Sequence, residues 1–482
     1  MANIKSLAKD TAIYGLSSII GRFLNYLLVP VYTAKMTAAS GSYGIITNMY
    51  ALTALILVLL TFGMETTFFR FANKEGEDPR RVFSTALIGV MSTSSLFFLA
   101  VVLFLMPVSE FLGYASHPQY VWVMALTVSI DAVRAIPFVY LRLQQKALKF
   151  ASLQLLNIGI NIVLNLVYYI VLGGHEPGYA FYINLVCSFV ITLCLYKEIG
   201  LIRSGFDMSL MRRMIRYSWP LVVFGITGIL NQVADKILFP FVYKEPDMQT
   251  QLGIYGACVK IAMIMAMITQ AFRYAYEPFV FSKTRDKDNN ETQAVAMKYF
   301  LIFTLLAFLC VVGWLDILKY ILSSDYWVGL QVVPIVMVAE IMMGIYFNLS
   351  FWYKLNDRTI WGAVFSGVGC VLLITVNVVF IPRYGYMACA WGGVVGYGSA
   401  MLLSYFVGQT KYPIRYPLKS IAVYVAIAVV FTAVMYAVPA QWPLPLRLGI
   451  NTVLICLFVG HIISHDLPLA SLPVVGKYFR RH

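Results

Sequence analysis

The sequence predicts an all-α polytopic membrane protein of about 14 transmembrane helices, and three observations lead there. Hydrophobic residues make up 60% of the 482 positions and charged residues only 12%, about half the charged share of a soluble domain. Apolar runs of about 20 residues recur along the chain, the length that carries a helix across ~30 Å of hydrocarbon. The Lys and Arg residues concentrate in alternate loops.

Fourteen spans are expected at roughly 11–32, 43–69, 82–106, 121–141, 151–172, 179–196, 218–243, 252–272, 294–314, 332–351, 360–381, 388–406, 421–438 and 448–463. With the N-terminus inside, the outer loops hold only Lys35, Lys244, Lys319, Arg383 and Arg447. Five further cations, Arg22, Arg134, Lys236, Lys260 and Lys298, fall within spans. This asymmetry places both termini in the cytoplasm by the positive-inside rule. The net charge of +14 therefore reads as topology, and no nucleic-acid partner is expected. MANIKSLAKD lacks an A-x-A-like cleavage site and is expected to be retained. The seven cysteines lie inside spans, so free thiols are expected, with no metal-ligand spacing among them.

The chain is written twice. LVPVY (28–32) closes the first span and LFPFVY (238–243) the seventh. The stretch from Tyr43 to Lys74 then aligns without a gap on that from Leu252 to Lys283, which sets Gly44 against Gly253. Further on, Arg142, Lys146 and Asn165 align with Lys354, Arg358 and Asn377. Six spans repeating six in the same orientation predict two lobes related by an axis along the membrane normal. The expected domains are an N-terminal lobe (1–196), a cytoplasmic amphipathic linker (197–217), a C-terminal lobe (218–406), and a segment of two further helices and a tail (407–482). The linker's Arg203, Arg212, Arg213 and Arg216 predict a helix lying on the anionic inner surface.

Charges inside spans are the functional candidates, because each must be compensated or used. Counting ~1.5 Å per residue, Asp235, Lys236, Lys260 and Glu340 all lie about 12 Å below the outer surface. They form either salt-bridge glue or an ion or proton site. Arg22 lies near mid-depth with Asn25 on its face, and its nearest acids are Asp131 and Glu65. Asp131 has its own i+3 partner, Arg134, so Arg22 either faces water or an anionic substrate or makes a structural pair with Asp131 or Glu65. Asn157, Asn161 and Asn165 make a stripe suited to interhelical hydrogen bonding. Arg273, near the inner end of span eight, forms either a surface pair with Glu277 or part of a cavity mouth. No phosphate-binding glycine loop or H-E-x-x-H motif is present, and His117, His175, His461, His465 and His482 have no nucleophile beside them. An enzyme is not expected.

The order of TAIYGLSSIIGRFLNYLLVPVYT with SYG, then RYSWPL, NQVADKILFPFVY and LGIYG, then NVVFIPRYGYMACAWGG (377–393) resembles the polysaccharide-transporter branch of the multidrug/oligosaccharidyl-lipid/polysaccharide flippase superfamily. The resemblance implies two six-helix lobes plus two C-terminal helices, opened alternately to either side of the bacterial inner membrane. It implies transport of undecaprenyl-pyrophosphate-linked repeat units for O-antigen, capsule or exopolysaccharide, alongside a glycan polymerase and chain-length machinery. Arg22, Asn25, Lys236, Lys260 and Arg273 would then bind substrate. Asp235, Glu340, Asn377, Asp131 and Glu65 would couple or gate, with sodium or a proton as the coupling ion. Asp235 and Asn377 stand on the spans that hold a sodium ion in some relatives, and no second acid accompanies Asn377. Two other readings are a drug/cation antiporter, which would favour an acidic cavity, and a membrane glycan polymerase or acyltransferase, which needs a substantial outer loop.

Overall fold

The computed structural model describes residues 20, 24, 26–282, 289–356, 358–439 and 441–466. Among them there is no strand. Twelve helices are long and apolar enough to cross a membrane, or thirteen if the bent pair Gly178–Cys194 and Tyr196–Ser204 counts as one span. Most of the first expected span, including Arg22 and Asn25, lies outside the described residues, as do the side chain of Glu277 and all of His482.

The helices are α1 (Leu28–Lys35), α2 (Ser42–Thr61), α3 (Met64–Ala72), α4 (Pro79–Leu103), α5 (Pro118–Leu143), α6 (Ala147–Leu166), α7 (Gly178–Cys194) and α8 (Met208–Val242). They continue with α9 (Met248–Ser282), α10 (Asn289–Gly313), α11 (Val332–Leu349), α12 (Ile360–Tyr384), α13 (Tyr386–Lys411), α14 (Leu418–Ala437) and α15 (Leu444–His465), with short turns between. Helix starts follow local chemistry. Asp78 caps α4 by accepting from the Arg80 amide at 3.0 Å, with Pro79 in the first turn where its missing N–H costs nothing. Between α2 and α3 the chain turns through Phe62 and Gly63, both left-handed at φ 47° and 64°. Gly63 adopts this freely, whereas Phe62 is strained there.

Two compact units are resolved. The first comprises residues Met1–Ala257 with Ser366–Gly392, and the second Cys258–Phe365 with Gly393–His482. In the first, α4, α2 and α7 pack on α5, α2 packs on α8, and α6 packs on α7. Its core runs through Phe68, Phe83, Val128, Ala132, Ile136 and Met214, all essentially solvent-free. In the second, α10 is the hub for α11, α14 and α15. Outward positions such as Leu96, Leu103, Val171 and Val429 are exposed and apolar, the pattern of helices solvated by lipid rather than water.

One expected element differs. Residues 197–217 do not form a separate surface helix. A short turn, Tyr196–Ile199, leads into a 3₁₀ segment, Gly200–Ser204, and from Met208 the chain runs unbroken into the next span as the 35-residue α8. The cause is local. Asp207 accepts from the Ser209 and Leu210 amides at 2.9 and 3.1 Å and starts the helix. The first breaker, Pro220, comes more than three turns later, where a membrane helix tolerates it. The Leu210 and Ser209 hydrogen bonds hold the Asp207 carboxyl below its ordinary range, and Arg81 bridges to it at 3.1 Å.

Candidate functional site

Asp235, on α8 in the first unit, is buried at 8% exposure. Its neighbour Lys236 curls back so that Nζ lies 3.0 Å from Oδ1 and 2.9 Å from Oδ2. The Tyr255 hydroxyl, from α9, donates to Oδ2 at 2.6 Å, and the Lys236 amide donates to Oδ1 at 2.9 Å. The same ammonium reaches the Gln232 carbonyl at 3.3 Å and stands 5.3 Å from the Tyr255 ring centroid. A chain of bonds continues outward from Lys236. Its carbonyl accepts from Asn48 Nδ2 at 2.9 Å, and Asn48 Oδ1 accepts from the Tyr114 hydroxyl at 2.8 Å. Burial pushes the Tyr114 phenol above its ordinary range, which keeps it a donor.

One turn up α8, Asn231 Nδ2 donates to the Ser366 carbonyl at 3.2 Å. Asn377 on α12 is wholly buried, and both its amide atoms lack a hydrogen-bond partner among the described residues. Its Oδ1 presses on Gly392, where an added Cβ would sit only 2.5 Å away. Among the described residues no three or more His, Cys, Asp or Glu side chains gather as metal ligands.

The second unit contains a cleft lined by Thr269, Phe272, Arg273, Tyr276, Asn348 and Lys354, with Phe300, Gly344, Phe347 and Phe351. Its two cations are seated on rings. The Arg273 guanidinium lies 5.0 Å from the Phe347 centroid and Lys354 Nζ 5.3 Å from that of Phe351. No carboxylate is among the lining residues described. Thr269 Oγ1, Tyr276 Oη and Asn348 Oδ1 are buried there without a hydrogen-bond partner among the described residues, a costly state for polar atoms that a ligand or water relieves.

The remaining candidates have other surroundings. Asp131 and Arg134 are bridged at 3.0 Å, and Ser188 of α7 donates to the same carboxylate at 2.6 Å. Asp131 therefore braces α5 against α7. Glu65 is exposed in the first turn of α3, where the helix dipole favours an acid. Lys260 on α9 and Glu340 on α11 are half-buried in the second unit, and each is engaged by neighbours. Asn165 accepts from the Tyr32 hydroxyl of α1 at 2.8 Å, an interhelical bond, and donates to the Asn161 carbonyl within α6 at 2.7 Å.

Tyr255, Thr269, Tyr276, Asn348 and Lys354 were not singled out as site residues by the sequence. Lys354 carried a usable signal, since it aligns with Arg142 across the repeat. The uncharged residues carried none, because their importance lies in what packs beside them.

A family model described as "Polysaccharide biosynthesis protein" matches residues 39–328, more than half of the chain. The fold is that of several solved transporters. A structure of the lipid II flippase MurJ, inward closed, superposes with a TM-score of 0.74 at 16% identity, covering 93% of this chain and 98% of that one. An inward-facing multidrug resistance MATE family transporter of the MOP superfamily gives 0.65 at 13% identity, covering 81% and 94%. A ligand-bound structure of the MATE multidrug transporter DinF-BH gives 0.61 at 16% identity, covering 84% and 96%. No curated protein matches the sequence.

Proposed function

The chain belongs to the polysaccharide biosynthesis protein family, and on that premise we propose that it flips undecaprenyl-pyrophosphate-linked oligosaccharide repeat units across the bacterial inner membrane by alternating access. The observation that supports this reading is the cleft of Arg273 and Lys354. A pyrophosphate cannot enter hydrocarbon without replacing its water. Guanidinium and ammonium donors do so with charge-assisted hydrogen bonds, while the isoprenoid tail stays in lipid. The Thr269 and Tyr276 hydroxyls and Asn348 Oδ1, without a hydrogen-bond partner among the described residues, add short-range polar contacts, and phenylalanine rings lie against both cations. The repeat unit is delivered to the outer face for surface glycan assembly, with both termini of the protein in the cytoplasm.

The test combines export in cells with binding to purified protein. Arg273→Ala and Lys354→Ala should each reduce surface glycan and raise the lipid-linked intermediate. In nanodiscs, each should weaken binding of undecaprenyl pyrophosphate relative to undecaprenol. Normal export by the double variant would overturn the reading.

A further inference from the structure

The resemblance to sodium-binding relatives makes Asp235 a candidate sodium ligand, and the residues around it do not fit that ion. An ionised carboxylate offers about four lone-pair positions. Here four donor contacts take them, two from Lys236 Nζ, one from the Lys236 amide and one from the Tyr255 hydroxyl. The ammonium is equally satisfied. Its three protons have Asp235 Oδ1, Asp235 Oδ2 and the Gln232 carbonyl as acceptors, with the Tyr255 ring face nearby. A sodium ion needs free oxygen lone pairs and no neighbouring positive charge. In this low-dielectric setting, Lys236 supplies repulsion where the ion would need attraction.

We propose that Lys236 is the resident counter-cation of Asp235, a covalently tethered replacement for a metal ion, so that this membrane carboxylate binds no sodium while the pair is intact. The side chains are 18% and 11% exposed for Lys236 and Asp235, so water neutralises neither charge and the pair must balance internally. Removing the ammonium while keeping the carboxylate should uncover a cation site made of Asp235 and the Tyr255 hydroxyl. The proposal concerns the ion and not the cargo, so it stands or falls independently of the transported substrate.

The experiment uses the full chain in nanodiscs, with ²²Na⁺ binding and thermal unfolding in NaCl against N-methyl-D-glucamine chloride of equal ionic strength. Wild type should bind no ²²Na⁺ above background and melt at the same temperature in both salts. Lys236→Met should gain a sodium-specific upward shift in Tm, and Lys236→Met/Asp235→Asn should lose it. Sodium binding by wild type that Asp235→Asn abolishes would overturn the proposal, as would a folded Lys236→Met that ignores sodium. The wild-type measurement decides the central statement even where the variants fail to fold.

Discussion

Gly44 and Gly253 press against one another. A Cβ on Gly253 would lie 2.9 Å from the Gly44 backbone nitrogen, and one on Gly44 only 2.0 Å from the Gln249 carbonyl oxygen. One turn on, Gly256 meets Thr47 in the same way, with 2.3 Å from an added Cβ to Oγ1. In the alignment of the two halves Gly44 corresponds to Gly253 and Thr47 to Gly256. Small residues let the backbones of α2 and α9 meet there.

Gly44→Ala should therefore destabilise the protein by about 3 kcal/mol or more, since the obstructing atom is backbone and cannot swing aside. Gly228→Ala is the control. Its Cβ would meet nothing within 4 Å, and exchanging a helical glycine for alanine should stabilise by about 0.5–1 kcal/mol. Thermal melts of the two variants in one detergent check both signs.

Arg273 should not be replaceable by lysine. A guanidinium can stack on Phe347 and present a flat pair of donors to a phosphate at once, whereas an ammonium is a point charge. Arg273→Ala should weaken lipid-pyrophosphate binding by about 10- to 100-fold, the order of one or two charge-assisted hydrogen bonds. Arg273→Lys should recover only part of that. Titration of the lipid into nanodisc-embedded protein measures it, and full recovery by lysine would argue against recognition by the planar donor pair.

Asp131→Ala should cost roughly 3–5 kcal/mol, because it leaves the Arg134 guanidinium buried without its counter-charge. Removing both, as Asp131→Ala/Arg134→Met, should restore much of the loss. Ser188→Ala, which deletes one hydrogen bond to the carboxylate, should cost about 1 kcal/mol. Tm values for the four proteins read the series, and a double variant as unstable as Asp131→Ala would exclude the charge-balance explanation.

Asp466, just beyond α15, should add an acid-sensitive component to stability. Its carboxylate is held by Lys298 and by the Tyr424 hydroxyl at 2.6 Å, and its carbonyl accepts from Tyr299 at 3.0 Å. Burial opposes ionisation, but the Lys298 and Tyr424 hydrogen bonds and the Lys298 charge outweigh it, so its carboxyl lies below the ordinary range. A carboxyl lowered in the folded state contributes stability above its unfolded value of about 3.9, and loses it as pH falls through the folded value. Wild type should therefore lose more stability than Asp466→Asn as pH drops below about 4. Melting curves from pH 6 to 3 test this, and parallel acid limbs would refute it.

Much of this protein could be read in one dimension. Hydrocarbon demands about 20 apolar residues per crossing, so the spans are visible as runs. A charge in such a run is conspicuous, which exposed Asp131, Asp235, Lys236, Lys260, Glu340 and Arg273. The pair Asp131–Arg134, one turn apart, follows from helix geometry, whereas Asp235–Lys236 does not, because adjacent helical residues point apart and Lys260 is an equal candidate. The expected linker helix failed because a charged stretch between two spans does not reveal where its cap lies. Asp207 decided that, and most of the arginines went into α8.

What the sequence by itself determined is the membrane, the approximate number of crossings and the identity of the embedded charges. Each is encoded in composition and short-range spacing. What only the tertiary structure decided is which partners those charges acquired. Tyr255 on Asp235, Ser188 on Asp131, and the rings beneath Arg273 and Lys354 come from helices or turns whose facing positions are set by packing. Neutral polar and aromatic side chains carry no mark in the sequence of which neighbour they will meet. For Asp235 that difference separates a carboxylate open to an ion from one whose acceptor positions are already filled.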